Sequence, residues 1–263
     1  NIISIMGLGY VGLPLAMAFC SSKIKTIGYD VNKKRVSSLK NNKSYISSVG
    51  NNTLKRSQKY FTQTSNIKDL EKSDVIIVCV PTPINEISKI PNLDYVKEVI
   101  LKLKRIDLSG KLIIFECTSY PGTTEEMFLP LVKQKKLILG EKIFLGYSPE
   151  REDPGNPNFS LEKKNIPKVI SGLTNKCQEL TSAVYKQITN KIIKVSNIKT
   201  AEFTKLLENI YRSINIGLIN ELSEISKKFD IDINESIIAA KTKPFGFQPF
   251  YPGPGVGGHC IPV

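Results

Sequence analysis

The chain has 263 residues, enough for one large domain or two ordinary ones, and a hydrophobic content of 41% excludes a mainly disordered protein. The net charge of +13 comes from lysines spread along the chain, with only five arginines, so neither a nucleic-acid surface gripping phosphates and base edges bidentately nor a zinc finger is expected. The longest apolar run, VIIVCV at 75–80, has strand length and cannot span a bilayer. With no basic-then-apolar signal pattern, the expected location is cytoplasmic.

Residues 2–6, IISIM, read as a buried strand, and Gly7, Leu8, Gly9, Tyr10, Val11 and Gly12 follow at once. A helical stretch, LPLAMAFCS, and a second strand, TIGYD, come next; the strand ends on Asp30. Strand, glycine turn, helix, strand and acid in this order make a dinucleotide-binding unit. Gly7 serves the tight turn, Gly9 the approach of a pyrophosphate to backbone, and Gly12 the close packing of helix on strand. The helix N-terminus faces the phosphate charge, and Asp30 takes the ribose hydroxyls. An acid there repels a 2′-phosphate, so NAD is expected over NADP. Arg35, a turn into the following helix, lies close enough to touch the same end of the cofactor.

Further strands are expected at 74–81, 111–116, 142–147, 167–172 and 190–196. Helices are expected at 92–105, 123–135 and near 174–187. This alternation predicts a Rossmann-like, doubly wound α/β sheet of mostly parallel strands over residues 1–196. Val80, Pro81 and Thr82, at the end of the third predicted strand, would lie beside the cofactor. From Ala201 to Phe229 nothing breaks a helix except a tolerated Gly217, and apolar residues recur with helical period. Such a helix usually bridges a domain boundary or packs against a partner subunit. A mainly helical region is therefore expected over 197–263, with a short helix at 234–241 leading into the tail PFYPGPGVGGHCIPV.

Five widely spaced cysteines, at 20, 79, 117, 177 and 260, suit a reducing compartment without a disulfide framework. With one histidine and no CxxC pair, no metal site is expected. Cys260 reads either as a small buried hydrophobe or as a nucleophile. GVGGHC is too poor in side chains to build a core, yet it offers backbone N–H groups close to a thiolate. His259 is adjacent to Cys260 and, on an extended segment, points away from it, so it suits orienting the loop or touching substrate better than activating the thiol. Lys205 and Asn209 are four residues apart on the long helix, with Arg212 close to the same face. They are either solvated polar residues or a cation and an amide aimed at an oxyanion. Glu150 and Thr118 fall in loops that follow predicted strands, where open α/β folds bind ligands; they are either surface-turn residues or a general base and a water-holding hydroxyl.

Taken together, GLGYVGLPLA, CVPTP, YPGTT, SPERxxPG, AEFTKLLENIYRSINIGLINEL and TKPFGFQPFYPGPGVGGHCIP resemble the UDP-glucose/GDP-mannose dehydrogenase family over essentially the whole chain. Within it, the last motif is most like the branch that oxidises UDP-N-acetylglucosamine to supply uronic acids for O-antigen or capsule. The resemblance implies two successive NAD-dependent oxidations of the sugar C6 hydroxyl, to an aldehyde and then to a carboxylate. Cys260 matches the family nucleophile, which carries a thiohemiacetal and then a thioester. Lys205 and Asn209 match its oxyanion-stabilising pair, and Glu150 and Thr118 its water and acid–base positions; Thr118 also borders the cofactor. Arg151, Arg212, Tyr251, Gly257 and His259, with Glu150, Lys205 and Asn209, are expected to contact the substrate. A homodimer through the long helix is implied, with neither nucleic acid nor membrane as partner.

The family pattern continues beyond the cysteine with an aspartate and a C-terminal UDP-binding domain, and Asn1 opens directly on a strand. The chain is accordingly expected to be a fragment at both ends that binds NAD with little or no turnover. Competing readings are the same chemistry on UDP-N-acetylmannosamine, UDP-glucose or GDP-mannose, a non-catalytic NAD-binding module, and a nucleic-acid binder.

Overall fold

The β-branched run Ile2–Met6 forms β1, and its side chains divide between two layers as a strand buried on both faces requires. Ile3 and Ile5 join a core with helix α1 (Gly12–Ser21), while Met6 joins a second core on the opposite face. The computed structural model describes residues 1–85, 88, 90–151 and 166–255.

The first half continues with β2 (Lys25–Tyr29), α2 (Lys33–Lys40), α3 (Asn51–Ser57), β3 (Phe61–Thr64), a 3-10 turn at Ile67–Lys72 and β4 (Val75–Val78). The second half runs α4 (Asp94–Leu103), β5 (Lys111–Phe115), α5 (Thr123–Gln134), β6 (Ile143–Tyr147), β7 (Lys168–Gly172), α6 (Asn175–Tyr185) and β8 (Ile192–Lys194). The strands lie in the order β3-β2-β1-β4-β5-β6-β7-β8. Every neighbouring pair is parallel except β6 and β7. The doubly wound sheet expected from sequence is therefore present, with helices on both faces.

Alternation along the central strands shows why the sheet needs two helical layers. In β4, Val75 and Ile77 face the α1 side, and Ile76 and Val78 face the α4 side. In β5, Leu112 and Ile114 oppose Ile113 and Phe115 in the same way. The direction of winding reverses between β1 and β4, which opens a crevice beyond the carboxyl ends of the strands.

Besides the 3-10 turn, β3 and α3 were not anticipated, whereas α2 was expected only as the helix that carries Arg35. β3 (FTQT) is a four-residue strand at the sheet edge, two of whose residues are polar with partial exposure. Helix α2 buries only Val36 and Leu39, and is started by Asn32, whose side chain accepts from Lys34 N and Arg35 N. Helix α3 has seven residues and buries only Leu54 and Ser57.

The chain divides into two compact units, Asn1–Lys205 and Leu206–Val263. The division falls within α7 (Ile198–Lys227), a 30-residue helix. In the second unit, α8 (Ile233–Lys241) is capped by Asp232, whose side chain accepts from Asn234 N. The tail returns to α7 through Tyr211 Oη, which donates to Gln248 Oε1 at 2.9 Å, and through Gly253 N, which donates to Asn220 Oδ1 at 2.9 Å.

Candidate active site

The glycine turn after β1 is shaped by contacts that leave no room for side chains. Gly7 has φ +95°, and a Cβ there would come within 2.6 Å of the Cys79 carbonyl oxygen. A Cβ on Gly12 would lie 1.9 Å from the carbonyl oxygen of Gly7, so α1 packs on the turn only because residue 12 is glycine. Gly9 differs, because a Cβ there would meet nothing within 4 Å. Its backbone faces open space at the start of α1, and Val11 supplies no side-chain cap to that helix. A turn of this shape beside an uncapped helix N-terminus fits a pyrophosphate.

Asp30 follows β2 and is buried. Its Oδ2 accepts from Leu8 N at 3.0 Å and its Oδ1 from Asn32 N at 2.8 Å, fixing the carboxylate beside the turn. Arg35 Nη1 lies 3.6 Å from Asp30 Oδ2, and the guanidinium stacks 5.4 Å from the centre of the Tyr45 ring. Tyr45 Oη donates to Leu8 O at 2.7 Å. Burial and the Asp30 charge, opposed by Arg35, push the Tyr45 phenol up to about 12, so it stays a hydrogen-bond donor. Gly9, Tyr10, Lys34, Arg35, Ser38, Tyr45 and Ile46 line an open cleft of about 460 Å³. Among the residues expected at the cofactor, Gly9, Tyr10 and Arg35 line this cleft, and Gly7, Gly12 and Asp30 shape the turn beside it. Tyr45 and Ser38 were missed, because they belong to a weakly patterned stretch with no visible link to the glycine turn.

A second group forms at the carboxyl ends of β4, β5 and β6. A Cβ on Gly7 would come within 3.4 Å of Val80 Cγ1, which places Val80 beside the cofactor turn. Pro81 is exposed, and the buried Thr82 hydroxyl donates to the Thr118 carbonyl, tying this segment to the loop after β5. Ser119, next in that loop, is buried, and its hydroxyl has no partner among the described residues. Glu150 follows β6; its Oε1 accepts from Arg151 N and its Oε2 from Lys168 Nζ, both at 2.7 Å. Arg151 Nη1 donates to Pro167 O at 2.9 Å. Lys168 Nζ also donates to Glu116 Oε1, and the Tyr185 hydroxyl donates to Glu116 Oε2. Burial raises the Glu116 carboxyl, with Lys168 opposing and Glu150 reinforcing, to about 8. Burial alone would lower the Lys168 ammonium, yet the two carboxylates hold it above its ordinary value. Lys168, Tyr185 and Glu116 were not singled out as site residues from sequence.

The remaining expected residues are distributed over both units. Lys205 ends the first unit, half-buried on α7. Asn209 is buried one helical turn further on, while Arg212 and Tyr251 are exposed in the second unit. Gly257, His259 and Cys260 lie outside the described residues. The other four cysteines are buried and unpaired. Burial pushes the Cys20 thiol up to about 12 and also raises Cys79 and Cys117, so these three are poor nucleophiles.

The fold and the glycine turn define an NAD-binding α/β protein with an acid–lysine cluster at its strand ends. Residues 1–189 match the NAD-binding domain of the UDP-glucose/GDP-mannose dehydrogenase family and residues 199–263 match its central domain; the chain belongs to that family. It is 43% identical over 263 residues to protein CapL of Staphylococcus aureus, covering 99% of this chain and 60% of CapL. Identity to the UDP-N-acetyl-D-glucosamine 6-dehydrogenase of Pseudomonas aeruginosa is 40%, over 99% of this chain and 61% of that protein. The solved UDP-D-ManNAc dehydrogenase of Pyrococcus horikoshii superposes with a TM-score of 0.92 at 31% identity, covering 99% of this chain and 62% of that one. The chain thus spans about 60% of the length of these relatives.

Proposed function

We propose that the protein is an NAD-dependent nucleotide-sugar 6-dehydrogenase, oxidising the C6 hydroxyl of a UDP-N-acetylhexosamine to the uronic acid. The observation that carries this reading is the pairing, within one unit, of a dinucleotide cradle with a fixed carboxylate. The Thr82–Thr118 hydrogen bond joins the segment beside the cradle to the loop after β5. A carboxylate fixed at strand ends neighbouring the cradle can act on a substrate bound beside NAD. UDP-N-acetylglucosamine is the proposed sugar, supported by the final sequence motif and by the Pseudomonas relative.

NAD, when bound, takes the hydride from C6 at each oxidation. The chain's own residues supply the rest. Asp30 holds the ribose hydroxyls and Gly9 leaves room for the pyrophosphate. The C6 hydroxyl gives its proton to water as the hydride leaves, and Lys205 and Asn209 stabilise the negative charge that develops on the C6 oxygen. The Cys260 thiolate adds to the aldehyde as a thiohemiacetal, so the intermediate cannot escape before the second oxidation makes a thioester. Glu150 takes a proton from the water that cleaves the thioester, with Thr118 beside it, and the acid leaves as Cys260 regains its proton. Arg151, Arg212, Tyr251, Gly257 and His259 are assigned to the substrate. The place of such an enzyme is the cytoplasm, supplying uronic acid for O-antigen or capsule.

A panel of UDP-N-acetylglucosamine, UDP-N-acetylmannosamine, UDP-glucose and GDP-mannose, with the product identified by mass spectrometry, tests the substrate. The expected result is highest kcat/KM on UDP-N-acetylglucosamine with a uronic acid product. Higher kcat/KM on the mannosamine sugar would move the assignment to the activity named for the Pyrococcus structure.

Helix α7 carries an exposed apolar stripe, Phe203, Leu207, Ile210, Ile214, Leu218 and Leu222, repeating at three- and four-residue spacing. We assign it to a homodimer interface. Sedimentation velocity at micromolar concentration should give a dimer, and a monomer there would remove the assignment.

A further inference from the structure

Among the described residues, two lysines are buried in the sheet, and they are used differently. Lys111, in β5, donates to the carbonyls of Glu71 and Ser73 at 2.7 and 2.6 Å, so it ties backbone to backbone. Lys168, at the start of β7, meets two carboxylates instead. Its ammonium is fully buried and lies 5.1 Å from the centre of the Tyr185 ring. The reversal of β7 puts it there. Gly146 pairs with Gly172 and Tyr147 with Ser171. Continuing that antiparallel register brings Lys168 level with Glu150, whereas a parallel β7 would carry it to the far end of the sheet. Both oxygens of Glu150 are therefore held, one by the Arg151 N–H and one by Lys168. Glu116, wholly buried beneath, holds the ammonium from the other side, and Tyr185 holds Glu116.

We propose that Lys168 is a positioning residue for Glu150, fixing the orientation of its carboxylate and keeping it ionised to take a proton from water, with Glu116 as the buried partner that anchors Lys168. The proposal rests on the reading of Glu150 as the base. An ammonium at 2.7 Å stabilises the ionised carboxylate directly, and the buried setting strengthens that effect relative to a surface pair. Lys168 faces Glu116 from the end of β5, Glu150 from the loop after β6, Tyr185 from α6 and Cys79 from the end of β4, and Glu150 faces Lys168, the Arg151 N–H and, directly, the Glu116 carboxyl.

The test is a carbon-13 NMR titration of carboxyl-labelled glutamates in the complete protein, with the Glu150 signal assigned by its loss in Glu150→Gln. Lys168→Met should raise the Glu150 midpoint by about one pH unit or more. Lys168→Arg should keep it near that of the parent. Because Lys168→Met leaves the Glu116 and Glu150 carboxyl groups sharing a buried site without a cation and can unfold the chain, Lys168→Met with Glu116→Gln is measured against Glu116→Gln alone. An unchanged midpoint in that comparison overturns the proposal. In turnover, loss of the cation should move the acidic limb of the kcat profile to higher pH at constant KM for the sugar, and arginine should restore it. A merely structural lysine would lower the folded fraction and leave the limb in place, which also overturns the proposal. The titration decides without turnover, so an inactive parent protein would overturn only the functional reading.

Discussion

Glu116 shows how much a single buried side chain carries. Its carboxyl is lifted from 4.5 to about 8, mainly by burial. Between those values the folded chain binds a proton that the unfolded chain has released. Its contribution to stability is therefore full below about pH 4.5 and is lost as pH rises to about 8. Glu116→Gln should flatten the decline of stability across this window, read from urea unfolding at a series of pH values. A slope equal to that of the parent would mean that Glu116 titrates as an ordinary carboxylate. At this scale the sequence was informative about the cofactor end and silent about the cluster. Gly7, Gly12 and Asp30 announce themselves because sterics and charge demand those residue types at that spacing. Nothing about Lys168 in PKVISG distinguishes it from a solvated lysine at a strand end, because its partners come from distant parts of the chain.

At the scale of elements, the strongly patterned ones were legible and the short ones were not. The runs that became β1, β4 and β5 are buried on both faces, and α4 and α7 carry long apolar periods. β3 lies at the sheet edge and α3 buries only Leu54 and Ser57, so local pattern displays neither. Contacts between elements were also invisible, and Glu202 is the clearest case. From the first turns of α7, its carboxylate accepts from Gly122 N, from Thr124 N at 2.9 Å and from Thr124 Oγ1 at 2.7 Å. It thus caps α5 from another helix, in a position with no solvent exposure. Glu202→Ala would leave two buried backbone N–H groups unsatisfied and should cost about 2–4 kcal/mol. Glu202→Gln, which keeps an acceptor, should cost less. Thermal unfolding of both variants checks this; equal, small shifts would mean that water satisfies the cap.

For the molecule as a whole, the winding of a mostly parallel sheet was readable from the alternation of strands and helices, but the direction of one strand was not. A strand's pattern records which faces are buried and says nothing of its polarity, so the reversed β7 and the lysine it delivers beside Glu150 had no signature. α7 runs unbroken from one unit into the other. The chemistry proposed for the whole molecule is a double oxidation held together by one covalent handle. The measurement that tests it most directly is NADH formed per UDP-N-acetylglucosamine consumed, in the complete protein and in Cys260→Ser. Two equivalents with uronic acid from the parent, and none of that acid from the serine variant, is the predicted result. Undiminished acid formation without the thiol would rule out the covalent role of Cys260.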